Sequence, residues 1–413
     1  MASIYLVGGA VRDTILNRPV KDRDWVVVGA TPTEMITQGY QQVGKDFPVF
    51  LHPTTKEEYA LARKESKSGI GHKAFEFDAS NQVSLEEDLL RRDLTINAMA
   101  EDTNGKIIDP FNGQQDIQLK VLRHVSPAFA EDPLRVLRVA RFAARYAELG
   151  FTLAPETRDI MTAITDSGEL LSLSAERVWQ ETYKALSESR ARVYFEVLHT
   201  CGALQALFPE LAALQGVPQR AEYHPEIDTF DHVLRALDQA CLLTDSPEIR
   251  FAVLTHDLGK GITPKALLPR HHGHENSGSP LVKALCKRYK VPQATTQLAV
   301  RVCEDHLLCH KAETLKPQTL LKILQRLDAF RRPQIFNDWL LACEADARGR
   351  LGFETIDYSV KKFWQTALQL TSSVNAQEFI LQGYEGKSLG DKIHKSRLNI
   401  LKDLKATRPQ TLT

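Results

Sequence analysis

Apolar residues change their spacing once along this chain. Through the first 125 residues short apolar runs alternate with polar turns. Ile4–Val7, Trp25–Val28, Tyr59–Ala62 and Lys106–Ile108 read as strands, and Ala10–Leu16 and Thr33–Gln38 as helices between them. From about Pro133 the strand signal almost vanishes, and apolar residues recur at helical spacing through 134–147, 176–186, 191–200, 230–243 and 281–290. The pattern predicts an α+β fold: a head with a small mixed β-sheet over 1–125, followed by an all-α body. Within the body the expected divisions are 126–222, 223–330 and a helical tail region over 331–413. The stretch Pro209–Pro225, with Gly216 and Pro218, is the expected seam, and Gly261–Pro280 is a second irregular stretch. Residues 64–84 form a polar segment with Gly69 and Gly71, long enough for a mobile loop at a site. The tail from Lys392 is basic and expected to be loosely held.

Composition narrows the class. A chain of 413 residues exceeds one ordinary core, so two to four domains are expected. Hydrophobic residues at 43% and charged residues at 25% fit a soluble globular protein. No apolar run approaches membrane-spanning length, and residues 1–7 lack the flank and core of a signal peptide, so a cytoplasmic protein with no membrane partner is expected. The six cysteines form no CxxC pair, which points to free thiols in a reducing compartment. Lys plus Arg and Asp plus Glu are 52 each. That balance argues against indiscriminate coating of nucleic acid but permits a local basic face.

The candidate chemistry begins at Leu6-Val7-Gly8-Gly9-Ala10-Val11-Arg12-Asp13, where a glycine pair joins a strand to a helix. Lys21-Asp22-Arg23-Asp24-Trp25 follows, with two carboxylates at i and i+2 entering a strand. Strand residues two apart share a face, so Asp22 and Asp24 can aim at one point while Arg23 turns away. Oxygen ligands suit a hard cation such as Mg2+, and N–H groups near Gly9 can hold a polyphosphate. In two-metal transfer the ions stand about 3.5–4 Å apart and a third carboxylate commonly joins from a neighbouring strand. Glu58 is the candidate, with an exposed strand-edge glutamate as the competing reading. Arg12, one turn after the glycines, is placed to reach a triphosphate. Arg91-Arg92-Asp93 falls on an apparent helix, where adjacent side chains diverge by about 100°, so one arginine, Arg92, is expected to face the site.

Glu131-Asp132-Pro133-Leu134-Arg135 opens the most discriminating segment. Asp132 is placed to cap a helix with Pro133 at its first position. Arg135, Arg138 and Arg141 then recur every three residues. Cytosine and adenine each present an exocyclic amine beside a ring-nitrogen acceptor. Asp132 can accept from the amine while Arg135 donates to the ring nitrogen, whereas guanine and uracil leave both groups unpaired. Arg138 and Arg141 would contact base or phosphate; a solvated basic face is the bland alternative.

GGAVRD, DRD, RRD and EDPLR in this order resemble the class II tRNA nucleotidyltransferases, the CCA-adding enzymes of the polymerase-β superfamily. The resemblance is specific over residues 1–145 and looser beyond. It implies a polymerase-β-like head that adds C, C and A to the tRNA 3′ end from CTP and ATP with Mg2+, without a nucleic-acid template. It further implies metal ligation by Asp22 and Asp24, and nucleotide contacts from Gly9, Arg12, Arg92, Asp132, Arg135, Arg138 and Arg141. By family behaviour, the 64–84 loop would be repositioned in the switch from C to A.

The second half carries His232, then Thr255-His256-Asp257-Leu258-Gly259-Lys260, then His271-His272-Gly273-His274, then His306. Adjacent His-Asp with histidines before and after is a transition-metal pattern, suited to Ni2+, Mn2+ or Zn2+. This resembles the HD phosphohydrolase superfamily. In the bacterial CCA enzymes bearing such a domain, the resemblance implies 2′-nucleotidase, 2′,3′-cyclic phosphodiesterase and phosphatase activities, with Ni2+ the first expectation. His232, His256 and Asp257 are the leading ligands, His274 and His306 further candidates, and Asp346 the candidate last carboxylate. A degenerate domain that only packs or binds tRNA is the competing reading. For the whole chain the rivals are a poly(A) polymerase-like transferase, which would add a long A tail, and a catalytically dead RNA-binding regulator. The expected partners are tRNA, ATP and CTP, and the expected state is a monomer or homodimer.

Overall fold

The computed structural model describes residues 2–43, 49–67, 75–78 and 81–407. The chain divides into two compact units, Met1–Leu207 and Phe208–Thr413. Among the described residues the strands all lie in the first. Its main sheet is built of β1 Ser3–Val7, β2 Asp24–Val28, β3 Gln41–Val43, β4 Val49–Leu51, β5 Glu58–Leu61, β6 Ala100–Glu101 and β7 Ile107–Ile108, in the order β3-β4-β5-β2-β1-β6-β7. It is mixed: β2 and β5 are parallel and the other neighbours antiparallel.

Alternation along β2 builds two cores. Val26 packs with Val7, Leu89 and Ala100 on one face, and Val27 with Met35, Phe50 and Leu61 on the other. Register then positions the chemistry. Val7 stands opposite Asp24, so the glycine turn that follows β1 begins beside that carboxylate. Asp24 and Glu58 are register partners across the parallel pair.

The mixed-sheet head and helical body match the sequence pattern, with three local corrections. The apparent helix around Leu89–Ala98 is two pieces, Leu85–Leu90 and a 3-10 turn at Thr95–Asn97, so Arg91 and Arg92 lie on the turn between them. The helix expected from 281 starts at His274 and carries Pro280 inside it. The tail is helical over Gly386–Ala406 and anchored: Leu401 is fully buried and Arg397 stacks 3.6 Å from the Phe330 ring centroid. Of the 64–84 loop, Lys64–Lys67 and Phe75–Asp78 pair as an antiparallel hairpin, while 68–74 and 79–80 lie outside the described residues.

The second unit is helical. Thr229–Leu243, Pro247–Thr255, His274–Arg288, Gln293–His310 and Pro333–Arg348 pack together around side chains such as Phe251, Phe336 and Trp339. Of these five, Thr229–Leu243 and Pro247–Thr255 start with side-chain caps: Asp228 accepts from Asp231 N at 2.9 Å and Ser246 from Ile249 N at 3.3 Å. All six cysteines are free thiols. Among the described residues no helix is long and apolar enough to cross a membrane.

Candidate functional site

The first unit encloses a cavity of about 690 Å³ at the end of the Val26 face. Gly9, Arg12, Asp22, Asp24, Arg92, Asp132, Arg135, Arg138 and Arg141 all line it; Glu58, though beside Asp24 in register, is not among the described lining residues. Cationic side chains outnumber carboxylates on its walls.

Gly8 sits at φ +68, and a Cβ there would lie 2.7 Å from Arg92 Nη1. Only glycine satisfies both the backbone and the close approach of that arginine. Arg12 is buried beneath the turn. Its Nε donates to Asp13 Oδ1 at 2.9 Å, its Nη1 donates to Asn97 Oδ1, and its guanidinium lies 5.4 Å from the Phe142 ring centroid and 5.3 Å from that of Tyr146. Partial desolvation of Asp24 raises its pKa; Arg92 opposes the rise and the charge of Asp22 adds to it. Two carboxylates near enough to repel, on a predominantly cationic wall, fit a bound divalent cation.

Both arginines of the RRD element line the cavity, which corrects the expectation that one would turn away. Buried Asp88 holds them: Arg91 Nη2 donates to Oδ1 at 2.8 Å and Arg92 Nη2 to Oδ2 at 3.2 Å. The helix ends at Leu90, so helical divergence does not apply. Asp93, which spacing left without a role, fixes the next layer. Its Oδ2 accepts from Arg138 Nε at 2.8 Å, and its Oδ1 from Asn97 Nδ2 and Leu94 N at 2.8 Å each. Burial opposes its ionisation, but Arg138 and these donors outweigh burial and lower its pKa strongly.

Asp132 is extended, and its Oδ1 accepts from Leu134 N at 3.0 Å, as a cap does. Its Oδ2 accepts from Arg177 Nη2 at 2.8 Å. The Arg135 guanidinium is held by the carbonyls of Ala128 at 2.7 Å and Arg91 at 2.6 Å. Arg141 Nε donates to buried Glu181 Oε2 at 2.6 Å. On the Ala175–Leu186 helix, Arg177 thus lines the cavity and Glu181 braces Arg141 from behind; sequence reasoning missed both, because each meets a partner at least 40 residues away and no local pattern marks it.

The second unit brings His232, His256, Asp257, His274, His306 and Asp346 to one buried centre. His232 Nε2 is 3.0 Å and His256 Nε2 3.4 Å from Asp346 Oδ1; His256 Nε2 is 3.2 Å from Asp257 Oδ2; His274 Nε2 is 3.1 Å and His306 Nε2 3.6 Å from Asp257 Oδ1. Each ring's other nitrogen faces an acceptor. Nδ1 of His256 meets Val253 O at 2.6 Å, that of His274 meets His271 O at 2.7 Å, that of His306 meets Val302 O at 3.1 Å, and that of His232 lies 2.9 Å from Glu226 Oε1. A carbonyl or carboxylate only accepts, so Nδ1 carries the proton and a neutral ring turns its Nε2 lone pair inward.

Four inward lone pairs facing two buried carboxylates need a positive charge among them. His256 Nε2 and both Asp257 oxygens lie within ion-pair range yet make no aligned hydrogen bond. Without a cation a proton fills the need: burial opposes it, but Asp257 and Asp346 outweigh burial and push the His256 pKa up to about 10. Burial takes His306 the other way, down to about 3. The donor set therefore fits a transition-metal ion bound by imidazole and carboxylate. Lys260 also faces Asp257 Oδ2, at 2.6 Å, steadied by Gln219 Oε1 at 2.5 Å. A cavity of about 760 Å³ opens onto the centre, with Arg220, Arg270, Lys311 and Arg350 on its walls.

Three family models match the chain: "Poly A polymerase head domain" over residues 4–123, "Probable RNA and SrmB- binding site of polymerase A" over 150–215, and "HD domain" over 229–332. A multifunctional CCA protein from Hahella chejuensis is 59% identical, over 97% of this chain and 95% of its own length. One from Pasteurella multocida is 56% identical over 98% and 97%. Among solved structures, the Thermotoga maritima CCA-adding enzyme complexed with tRNA shares the fold at TM-score 0.63 and 18% identity, over 98% of this chain and 91% of that one. A tRNA nucleotidyltransferase complexed with a primer tRNA and an incoming ATP analog shares it at TM-score 0.58 and 22% identity, over 89% and 95%.

Proposed function

This chain belongs to the family of multifunctional CCA proteins, and from that membership we propose that its first unit adds C, C and A to the 3′ end of tRNA from CTP and ATP. The observation that carries the reading is one cavity lined at once by Asp22 and Asp24, the glycine turn, and the arginine set from Arg12 to Arg141. Asp22 and Asp24 are the residues that would hold Mg2+, which in a two-metal transfer supplies charge neutralisation and a lowered pKa for the attacking hydroxyl. The tRNA 3′-hydroxyl attacks the α-phosphate in line, a P–O bond forms as the α–β bridge breaks, and pyrophosphate leaves. Gly9 and Arg12 lie along the phosphate path, and Arg91 and Arg92, braced by Asp88, spread positive charge over the departing phosphates. Asp132 and Arg135 read the amine and ring nitrogen of C or A. Glu58 stays a candidate for a third ligand on its register beside Asp24.

In the second unit, the ligands would be His232, His256, Asp257, His274, His306 and Asp346. Ni2+ leads, with Mn2+ and Zn2+ as alternatives, and the reaction is hydrolysis of phosphoesters, including 2′,3′-cyclic ones. Support comes from the inward Nε2 atoms and the cationic walls of the adjoining cavity.

The deciding experiment incubates the protein with tRNA lacking CCA, Mg2+ and each nucleoside triphosphate separately and together. Growth by three nucleotides, C before A, is expected. A long A tail would replace this reading with a poly(A) polymerase, and no incorporation would leave an RNA-binding protein.

A further inference from the structure

A fifth histidine touches the buried centre of the second unit with its polarity reversed. His310 lies one turn beyond His306 on the Gln293–His310 helix. Its Nε2 is 2.8 Å from Asp346 Oδ2 and its Nδ1 is 2.8 Å from the Tyr358 hydroxyl. A carboxylate only accepts, so here Nε2 carries the proton and Nδ1 accepts from the phenol. The phenol oxygen in turn lies 3.4 Å from the Cys309 thiol. Every donor in this chain of contacts meets an acceptor. Tyr358 is buried and fixed from behind: the Trp364 indole, on the helix that Tyr358 precedes, donates to Cys309 O at 3.1 Å.

Asp346 therefore has its two oxygens divided. Oδ1 faces the Nε2 atoms of His232 and His256, and Oδ2 is taken by His310. We propose that Tyr358 and His310 form a positioning relay that confines Asp346 to ligation through Oδ1 and so sets the divalent-metal affinity of this centre. The inference rests on reading the centre as a metal site. His310 is not itself a ligand, because its atom nearest the centre bears a proton held on Asp346. Tyr358 matters because it fixes the tautomer. Were the proton on Nδ1, the Nε2 lone pair would face Oδ2, and Asp346 would turn away or bind through both oxygens.

The test uses the full chain, stripped of metal with a chelator and then titrated with Mn2+ and Ni2+ against a chromophoric competitor. His310→Ala should weaken both metals roughly 10- to 100-fold, the usual cost of removing an outer partner of a ligand. His310→Gln keeps an N–H donor toward Oδ2 and should recover most of the loss; Tyr358→Phe should fall between. The metal-free melting curves should stay near that of the unaltered chain, and Co2+-loaded His310→Ala should show altered ligand-field bands as Asp346 changes its mode of binding. Unchanged affinities across the three variants would overturn the relay while leaving the metal site standing. So would a lowered metal-free melting point with the Co2+ spectrum unchanged, which marks a packing role. If the unaltered chain binds none of Mn2+, Ni2+ or Co2+, the metal reading itself fails and the relay goes with it.

Discussion

Single side chains carry the selectivity argument, and Asp132 carries two jobs at once. Its Oδ1 caps the Leu134–Tyr146 helix while its Oδ2 faces Arg177 and the cavity. Asp132→Asn separates the jobs. Asparagine caps as well as aspartate, so the helix start should hold, and any loss of stability should come from the Arg177 ion pair. An NH₂ in place of Oδ2 opposes the exocyclic amine of C and A and the guanidinium of Arg177. Discrimination of CTP and ATP over UTP and GTP, measured as the ratio of kcat/KM values, should fall roughly 10- to 100-fold, the worth of one charge-assisted hydrogen bond. Full discrimination in this variant would remove Asp132 from base reading. The positions of Asp132 and Arg135 on the cavity wall were legible in the sequence, because a helix start and the arginines that follow it are local patterns. The contacts that fix them were not: Arg177 lies 45 residues from Asp132, and Arg135 is held by backbone carbonyls of Ala128 and Arg91 that no pattern marks.

Elements show where periodicity suffices and where it fails. Long helices such as Leu134–Tyr146 and Thr229–Leu243 were readable because their apolar faces repeat over several turns. Strands of two or three residues, Gln41–Val43 and Ala100–Glu101 among them, are too short to alternate visibly, and pairing in the sheet defines them. The RRD turn was misread as helix for a related reason: it is held by side chains rather than by a backbone ladder. Asp93 is its keystone, joining the turn to the arginine helix through Arg138. Because its folded pKa is depressed, the stability it supplies is present above the unfolded carboxylate value of about 3.9 and is lost as pH falls below it. Asp93→Asn should therefore cost about 1–3 kcal/mol at neutral pH, toward the lower end since the Arg138 guanidinium is partly exposed, and progressively less on acidification. Urea midpoints of both proteins between pH 7 and pH 3 check this; a constant offset would assign the cost to packing.

At the scale of the whole chain, two candidate sites occupy two units, each with every lining residue of its own cavity inside its own unit. Sequence order foreshadowed that division, since the GG, DRD, RRD and EDPLR elements all precede the first of the HD histidines. What it could not supply was closure in space: Asp346 lies 114 residues beyond His232 and meets it at 3.0 Å. Separate enclosure has a functional consequence. Gly259, two residues after Asp257, packs so tightly that a Cβ would fall 2.0 Å from His274 O and 2.7 Å from Gly278 N, both backbone atoms that cannot swing aside. Gly259→Ala must displace the start of the His274–Arg288 helix and with it a candidate ligand, at a cost of about 1–3 kcal/mol in the second unit. The expected result is weakened metal binding and lost phosphodiesterase turnover, measured on a 2′,3′-cyclic nucleotide, with CCA addition to tRNA retained. His256→Ala should give the same split without forcing the backbone apart, because it removes an inward Nε2 and leaves only a cavity where the buried ring stood. If both variants lose nucleotide addition together with hydrolysis, the two centres act as one coupled site; if His256→Ala spares hydrolysis, the buried histidines serve the fold instead of the reaction.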